Sequence, residues 1–182
     1  MKRFLIVVPS IILLCFSLSC QGKTTKTELE KVRVRAETEA RNKEIARQLF
    51  SAIDKGDFEK LKGLLSDDFS LKAPGLREPL GTSGLFQLIK THYAAFPDWT
   101  HVIEDTVAEG DKVAVKLTQY GTHRAEYEGI PATGNKVTMP ALHFGTIVNG
   151  KIKDWYTVED YLGLNMQLGM VLRPKGAKKQ RK

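Results

Sequence analysis

Cysteine is nearly absent: the 182 residues contain two, Cys15 and Cys20, and both fall in an N-terminal apolar run. The body of the protein therefore has neither a disulfide framework nor a thiolate metal site available to it. Metal-ligand spacing is missing as well. The four histidines, His92, His101, His123 and His143, form no H-x-x-x-H and no His-carboxylate pattern of the kind that frames a metal centre. No G-x-S-x-G surrounds a serine, so a nucleophile elbow is excluded. The apolar run itself, FLIVVPSIILLCFSL, is short for a transmembrane helix and contains Pro9.

That run follows Lys2 and Arg3 and ends in Ser17-Leu18-Ser19-Cys20, the layout of a secretion leader over residues 1–19. The last four residues resemble a bacterial lipoprotein cleavage box, in which the cysteine is lipidated and becomes the mature N-terminus. Here Leu18 stands two places before the cysteine rather than three. Lipidation of Cys20 is the expectation, against an ordinary leader or an uncleaved anchor. Gln21 points to the outer membrane of a bacterial cell envelope.

The formal net charge of +7 is unevenly spread. The leader carries +2, residues 21–43 carry +3 and the tail from Val171 to Lys182 carries +6, which leaves the body acidic at −4. Basic residues confined to the ends, without interleaved aromatics, exclude nucleic acid as a partner. Two readings of RPKGAKKQRK stand: a solvated, disordered tail, or an electrostatic hold on an anionic membrane that adds to the lipid.

Residues 20–37 are polar and lack a persistent apolar stripe, which predicts a tether that turns helical near its end. From there Ile45, Leu49 and Ile53 recur every four residues, an amphipathic helix stopped near Gly56. Asp57 can cap a short helix carrying Phe58, Leu61, Leu64 and Leu65. After the crossing APGLREPLGTSG, Thr82 or Ser83 can cap a third helix through Leu85, Phe86, Ile89, Tyr93 and Phe96, with Pro97 ending it. His92 and His101 read as surface residues of helix and strand. Beyond Pro97 the period becomes two: THVIEDTVAE, KVAVKLTQYG, NKVTMPALHFGTIV and KIKDWYTVED are strands, with turns at Gly110-Asp111 and Asn149-Gly150. Helices first and a strand meander after them predict an α+β domain over residues 38–170, an antiparallel sheet with helices on one face.

If Asn149 and Gly150 are the two turn residues, strict alternation puts Met139, His143, Ile147, Ile152, Tyr156, Val158 and Asp160 on one face and Phe144, Trp155, Thr157 and Glu159 on the other. A bulge, for which Pro140 is a natural place, would swap part of this set. The first face mixes apolar groups with an imidazole, a phenol and a carboxylate, as a small-molecule pocket does. A carboxylate there can take a proton from a carbon beside a carbonyl, while His143 or Tyr156 donates a hydrogen bond to the enolate, with no cofactor and no metal. Two readings of Asp160 remain: this acid/base role, or a cap on the helix YLGLNMQLGM. His143 likewise reads as a pocket group or a satisfied core histidine. Trp99 and Trp155 read as packing residues.

Phe96-Pro97-Asp98, Gly121-Thr122-His123, Gly129-Ile130-Pro131, Thr133-Gly134, Gly150-Lys151-Ile152 and Asp160 followed by Leu162-Gly163-Leu164 closely resemble the SnoaL-like polyketide cyclases of the nuclear transport factor 2-like superfamily. The resemblance spans about residues 40 to 170. It implies a cone-shaped curved antiparallel sheet wrapped by helices around an apolar cavity. It also implies a cofactor-free intramolecular aldol cyclisation with Asp160 as general acid/base, and His123 on a loop at the cavity mouth where it can touch ligand. The expected pocket is thus Asp160 with His123, His143, Tyr156, Met139 and Val158, taking a small apolar or carbonyl-containing ligand. A homodimer through the outer face of the sheet, with Trp155, is a further expectation of the superfamily. Two functions compete: a membrane-tethered cyclase or isomerase, and a lipoprotein that binds a small apolar ligand without changing it.

Overall fold

The structure, a computed structural model, describes the backbone of residues 7–172 and the side chains of residues 25–172. The side chain of Cys20 and the basic tail after Leu172 lie outside the described residues. The elements are α1 (Val7–Asp54), α2 (Phe58–Leu64), β1 (Leu65–Lys72), α3 (Thr82–Ala95), β2 (Thr100–Glu109), β3 (Lys112–Thr122), β4 (Lys136–Val148), β5 (Lys151–Glu159) and α4 (Tyr161–Gln167).

Helix starts earlier than the apolar pattern predicts: α1 is continuous through the segment expected as a tether. Exposed pairs at helical spacing, Lys31 with Glu28, Arg33 with Glu30 and Arg35 with Glu39, support it weakly. Among the described residues no helix is long and apolar enough to cross a membrane. The C-terminal half of α1 follows the predicted stripe and buries Ile45, Ala46, Leu49, Phe50 and Ala52. Its approach to the sheet is fixed at the β2–β3 turn, where Asn42 Nδ2 donates to the Gly110 carbonyl at 2.9 Å and the Gly110 N–H donates to Glu39 at 3.0 Å.

Asp57 caps α2 as predicted, accepting from the Lys60 N–H at 2.9 Å. The start of α3 differs: Gly81 is the cap residue and makes no side-chain bond, so neither Thr82 nor Ser83 caps it. The strand β1 is also additional. Its weak alternation gave no signal, yet Leu65, Phe69 and Leu71 are buried, and it pairs parallel to β5.

The sheet runs β1-β5-β4-β3-β2, antiparallel from β5 to β2. The β4–β5 turn is the predicted one, with Asn149 and Gly150 at φ 51° and 78°. Register follows the prediction only for Val148 opposite Lys151 and Ile147 opposite Ile152. Lys153 is then an extra residue: Thr146 faces Asp154, Gly145 faces Trp155 and Phe144 faces Tyr156. Pro140 causes no bulge and pairs regularly with Thr118. A second extra residue, Glu104, interrupts β2 between Ile103 and Asp105. Because side chains alternate with a period of two, each bulge transfers every residue beyond it, counted outward from the hairpin turn, to the other face.

The bulges therefore turn His101 and Ile103 of β2 inward, with Trp99 just before that strand, and Trp155, Thr157 and Glu159 inward on β5. Tyr156 and Val158 go to the convex face, where they are 44% and 46% exposed beside Phe144 and Leu142. The predicted face assignment is corrected accordingly, and Trp155 is excluded from any outer-face contact. Both indoles lie flat over glycines. A Cβ at Gly145 would overlap Cε3 and Cζ3 of Trp155, and a Cβ at Gly121 would overlap the same atoms of Trp99. Gly145→Ala should thus destabilise by about 1–3 kcal/mol, the usual penalty of overpacking. A urea midpoint unchanged from the parent would show that the indole has room to move.

Candidate active site

A cavity of about 460 Å³ opens between the concave face of the sheet and the helices. Leu49, Phe50 and Ile53 of α1, Phe69 and Leu71 of β1, and Leu85, Ile89, His92 and Tyr93 of α3 form its apolar side. The sheet side contributes Trp99, His101, Gln119, His143, Trp155, Thr157 and Glu159, and Leu88, the loop 73–76, Tyr127, Glu128 and Tyr161 also line it. No lysine or arginine is among the lining residues.

The last residue of α1, Asp54, gathers three elements. Its carboxylate meets His101 Nδ1 at 2.6 Å and accepts from the His101 N–H at 3.3 Å, the Thr100 hydroxyl at 3.4 Å and the Tyr93 hydroxyl at 3.3 Å. A carboxylate accepts, so the Nδ1 proton of His101 is held on Asp54, and Nε2 is the ring nitrogen left to exchange a proton with a ligand. An imidazole oriented and backed by a carboxylate is a general-base arrangement.

Opposite that base stand donors. Trp155 Nε1 lies 3.1 Å from His143 Nδ1, and an indole N–H can only donate. The neutral His143 ring therefore carries its proton on Nε2, which has no partner among the described residues. Trp99 Nε1 donates to Gln119 Oε1 at 2.9 Å, which leaves the Gln119 amide Nε2 also buried and unpartnered. Gln119 is the direct cross-strand partner of His101, and the Phe50 ring lies 5.2 Å from His101 and 5.0 Å from His143. Base and donors thus share one stretch of cavity.

Burial sets the charge states. Desolvation, with a smaller push from His101, holds His143 down to about 3 and His92 down to about 4, so both are neutral imidazoles at pH 7. Burial also raises the Tyr93, Tyr127 and Tyr161 phenols, helped in Tyr93 by Asp54, and keeps all three protonated as donors. Among the described residues no group of three or more His, Cys, Asp or Glu side chains is placed to hold a metal ion.

Of the residues expected in the pocket, His143 lines the cavity. Tyr156 and Val158 are on the convex face for the register reason given above. Met139, 1% exposed, packs in a second cluster with Phe96, Val137 and Leu164. His123 is fully buried beside the same cluster, its ring stacked on Phe96 at 5.1 Å and its Nδ1 accepting from the Thr133 N–H at 3.2 Å. Asp160 is exposed and caps α4, accepting from the Gly163 N–H at 2.8 Å. A side chain at Gly163 would collide with that carboxylate.

A family model described as SnoaL-like polyketide cyclase matches residues 43–168, more than half of the chain. The chain belongs to the SnoaL-like polyketide cyclase family. Aklanonic acid methyl ester cyclase DnrD of Streptomyces peucetius is 37% identical to this SnoaL-like chain over 97 residues, which cover 53% of the chain and 65% of DnrD. The match thus spans less than two thirds of that relative's own length. The crystal structure of IdmH from Streptomyces antibioticus superposes with a TM-score of 0.66 at 29% identity, covering 71% of this chain and 99% of IdmH. AclR from Streptomyces galilaeus, at 23% identity and a TM-score of 0.67 over 74% of this chain and 99% of its own, attests the fold alone.

Sequence reasoning missed His92, His101, Gln119, Trp155, Thr157 and Glu159 as cavity residues, and Asp54 as the carboxylate behind His101. For His92 a signal existed: it lies three residues after Ile89, on the buried side of α3. For the β2 and β5 residues it did not, since neither Glu104 nor Lys153 announces a bulge.

The two depressed histidines fix an acid response. Between their folded values and the ordinary 6.5, the unfolded chain binds more protons than the folded one, so stability rises with pH across that window. Acidification from pH 7 to pH 5 should remove about 1–2 kcal/mol per ring. His143→Gln should lower the slope of unfolding free energy against pH by about one proton. A parent protein equally stable at both pH values would show that these rings are charged in the fold.

Proposed function

We propose that this chain is a cofactor-free cyclase or isomerase acting on a neutral, carbonyl-bearing molecule held in the cavity, with His101 rather than Asp160 as the proton-transfer group. The observation that carries the reading is the Asp54–His101 pair facing unpartnered N–H donors inside an apolar cavity. His101 Nε2 removes a proton from a carbon beside a carbonyl, and the electron pair moves to the carbonyl oxygen. That enolate oxygen is met by the N–H of His143 or of Gln119. In an intramolecular aldol closure, the enolate carbon attacks a second carbonyl carbon of the same molecule. The new alkoxide then takes the proton back from the His101 imidazolium, which Asp54 has stabilised. In an isomerisation the proton returns to another carbon.

The lining supports a neutral substrate. A ligand carboxylate would find no lysine or arginine and two resident carboxylates, Glu128 and Glu159. An ester carries no such charge, in keeping with the methyl ester in the name of the DnrD relative.

The test uses the full chain and a neutral aromatic ketone, 2-acetylnaphthalene, in deuterated water. The parent protein should speed exchange of the methyl protons beside the carbonyl. His101→Gln should slow it by about a hundredfold, Asp54→Asn by at least about tenfold, and Asp160→Asn should leave it unchanged. Loss of exchange in Asp160→Asn with full activity in His101→Gln would return the acid/base role to Asp160. Binding of the ketone without exchange would make the chain a binding protein.

We further propose that the domain works tethered to the cell envelope through an acylated Cys20, on the support of the leader pattern ending Ser17-Leu18-Ser19-Cys20. Mass spectrometry of envelope-extracted protein should find Cys20 at the N-terminus with added acyl mass. A peptide still containing Phe4 to Ser19 would overturn this.

A further inference from the structure

The two tryptophans repeat one arrangement on the neighbouring strands β3 and β4, which carry Gly121 and Gly145. Trp155 lies across Gly145 and donates its indole N–H to His143, two residues before that glycine. Trp99 lies across Gly121 and donates its indole N–H to Gln119, again two residues before the glycine. Residues two apart on a strand share a face, so an indole seated on the bare backbone of the glycine reaches the side chain beside it. In both cases the atom it reaches is an acceptor, and in both the opposite end of that side chain is a buried N–H without a partner among the described residues. A buried donor left without a partner is destabilising. Two such donors, created by the same device in the same cavity, are a feature to be explained.

We propose that Trp99 and Trp155 are positioning residues. By occupying Gln119 Oε1 and His143 Nδ1, they fix the amide orientation of one and the tautomer of the other, so that the cavity presents two set N–H donors to carbonyl oxygens of a neutral ligand. His143 Nδ1 cannot take a proton while it accepts from Trp155, and Gln119 cannot turn its oxygen toward the ligand without abandoning the Trp99 N–H. The pair is a filter: a carbonyl finds a partner at either place, and a hydrocarbon of the same shape leaves both donors orphaned. His101 on β2 and Phe50 on α1 complete the immediate surroundings of these groups. The part concerning the ligand rests on the function proposed above, whereas the part concerning ring and amide orientation does not.

Two measurements on the full chain separate these parts. The first is the nitrogen NMR spectrum of the histidines at pH 7. His143 should show a protonated Nε2 and a bare, hydrogen-bonded Nδ1. In Trp155→Phe the Nδ1 resonance should move toward the position of an unbonded ring nitrogen, with the far-ultraviolet circular dichroism unchanged. A wild-type ring protonated on Nδ1 overturns the proposal without recourse to any variant, so failure of Trp155→Phe to fold leaves it testable. The second is the infrared carbonyl band of bound 2-acetylnaphthalene. It should be shifted to lower frequency in the wild type and return toward its position in hydrocarbon solvent in the Trp99→Phe/Trp155→Phe double variant. An unshifted band alongside the expected His143 tautomer overturns the ligand part and leaves the ring assignment standing. A shifted band that persists in the double variant overturns the positioning role and leaves the proposed function intact.

Discussion

The alternation of side chains across a β-strand admits no half measures. One extra residue inverts everything that follows it, and this protein uses that rule twice. Glu104 in β2 and Lys153 in β5 are the extra residues of the meander, and they lie on the strands that flank the uninterrupted β3–β4 pair. Trp99, His101, Trp155 and Thr157 face the cavity because of them. Both extra residues keep their own side chains at the surface, where Glu104 pairs with Lys116 at 2.7 Å and Lys153 with Asp68 at 3.4 Å. The polarity of the site is therefore set by backbone register before it is set by any side-chain preference.

This accounts for how unevenly the molecule could be read in advance. Order and type of the helices, the four-strand meander and the Asn149-Gly150 turn were legible because local signals dominate there: apolar repeats of 3.6 or 2, and a turn pair that tolerates positive φ. The family resemblance supplied the cone and cavity. The inner face was not legible, because parity counted outward from a turn holds only until the first bulge. His143 was placed correctly since β4 is regular from end to end, while Tyr156 and Val158 were placed on the wrong face since β5 is not. Asp160 could be read two ways, and its side chain is engaged by the Gly163 N–H. Asp54 was invisible for another reason: it ends a helix, and nothing local marks the last residue of a helix as the partner of a histidine 47 residues away.

The cavity also shows how buried polarity is managed. Each tryptophan satisfies one end of a polar side chain of the cavity lining and leaves the other end without a partner among the described residues. Gly121 and Gly145 make this possible, since only a residue without Cβ leaves room for an indole lying flat on the strand. Desolvation then keeps His92 and His143 uncharged, so the site offers hydrogen bonds without a cation to attract acids.

Asp54 has a mechanical consequence as well. It is the terminal residue of α1, and its carboxylate lies 2.6 Å from His101 Nδ1. A helix advances about 1.5 Å per residue along its axis. Sliding α1 by a single residue's rise would carry the carboxylate out of contact and leave the imidazole unbacked. The bonds that Asn42 and Glu39 make to Gly110 hold α1 against such a slide.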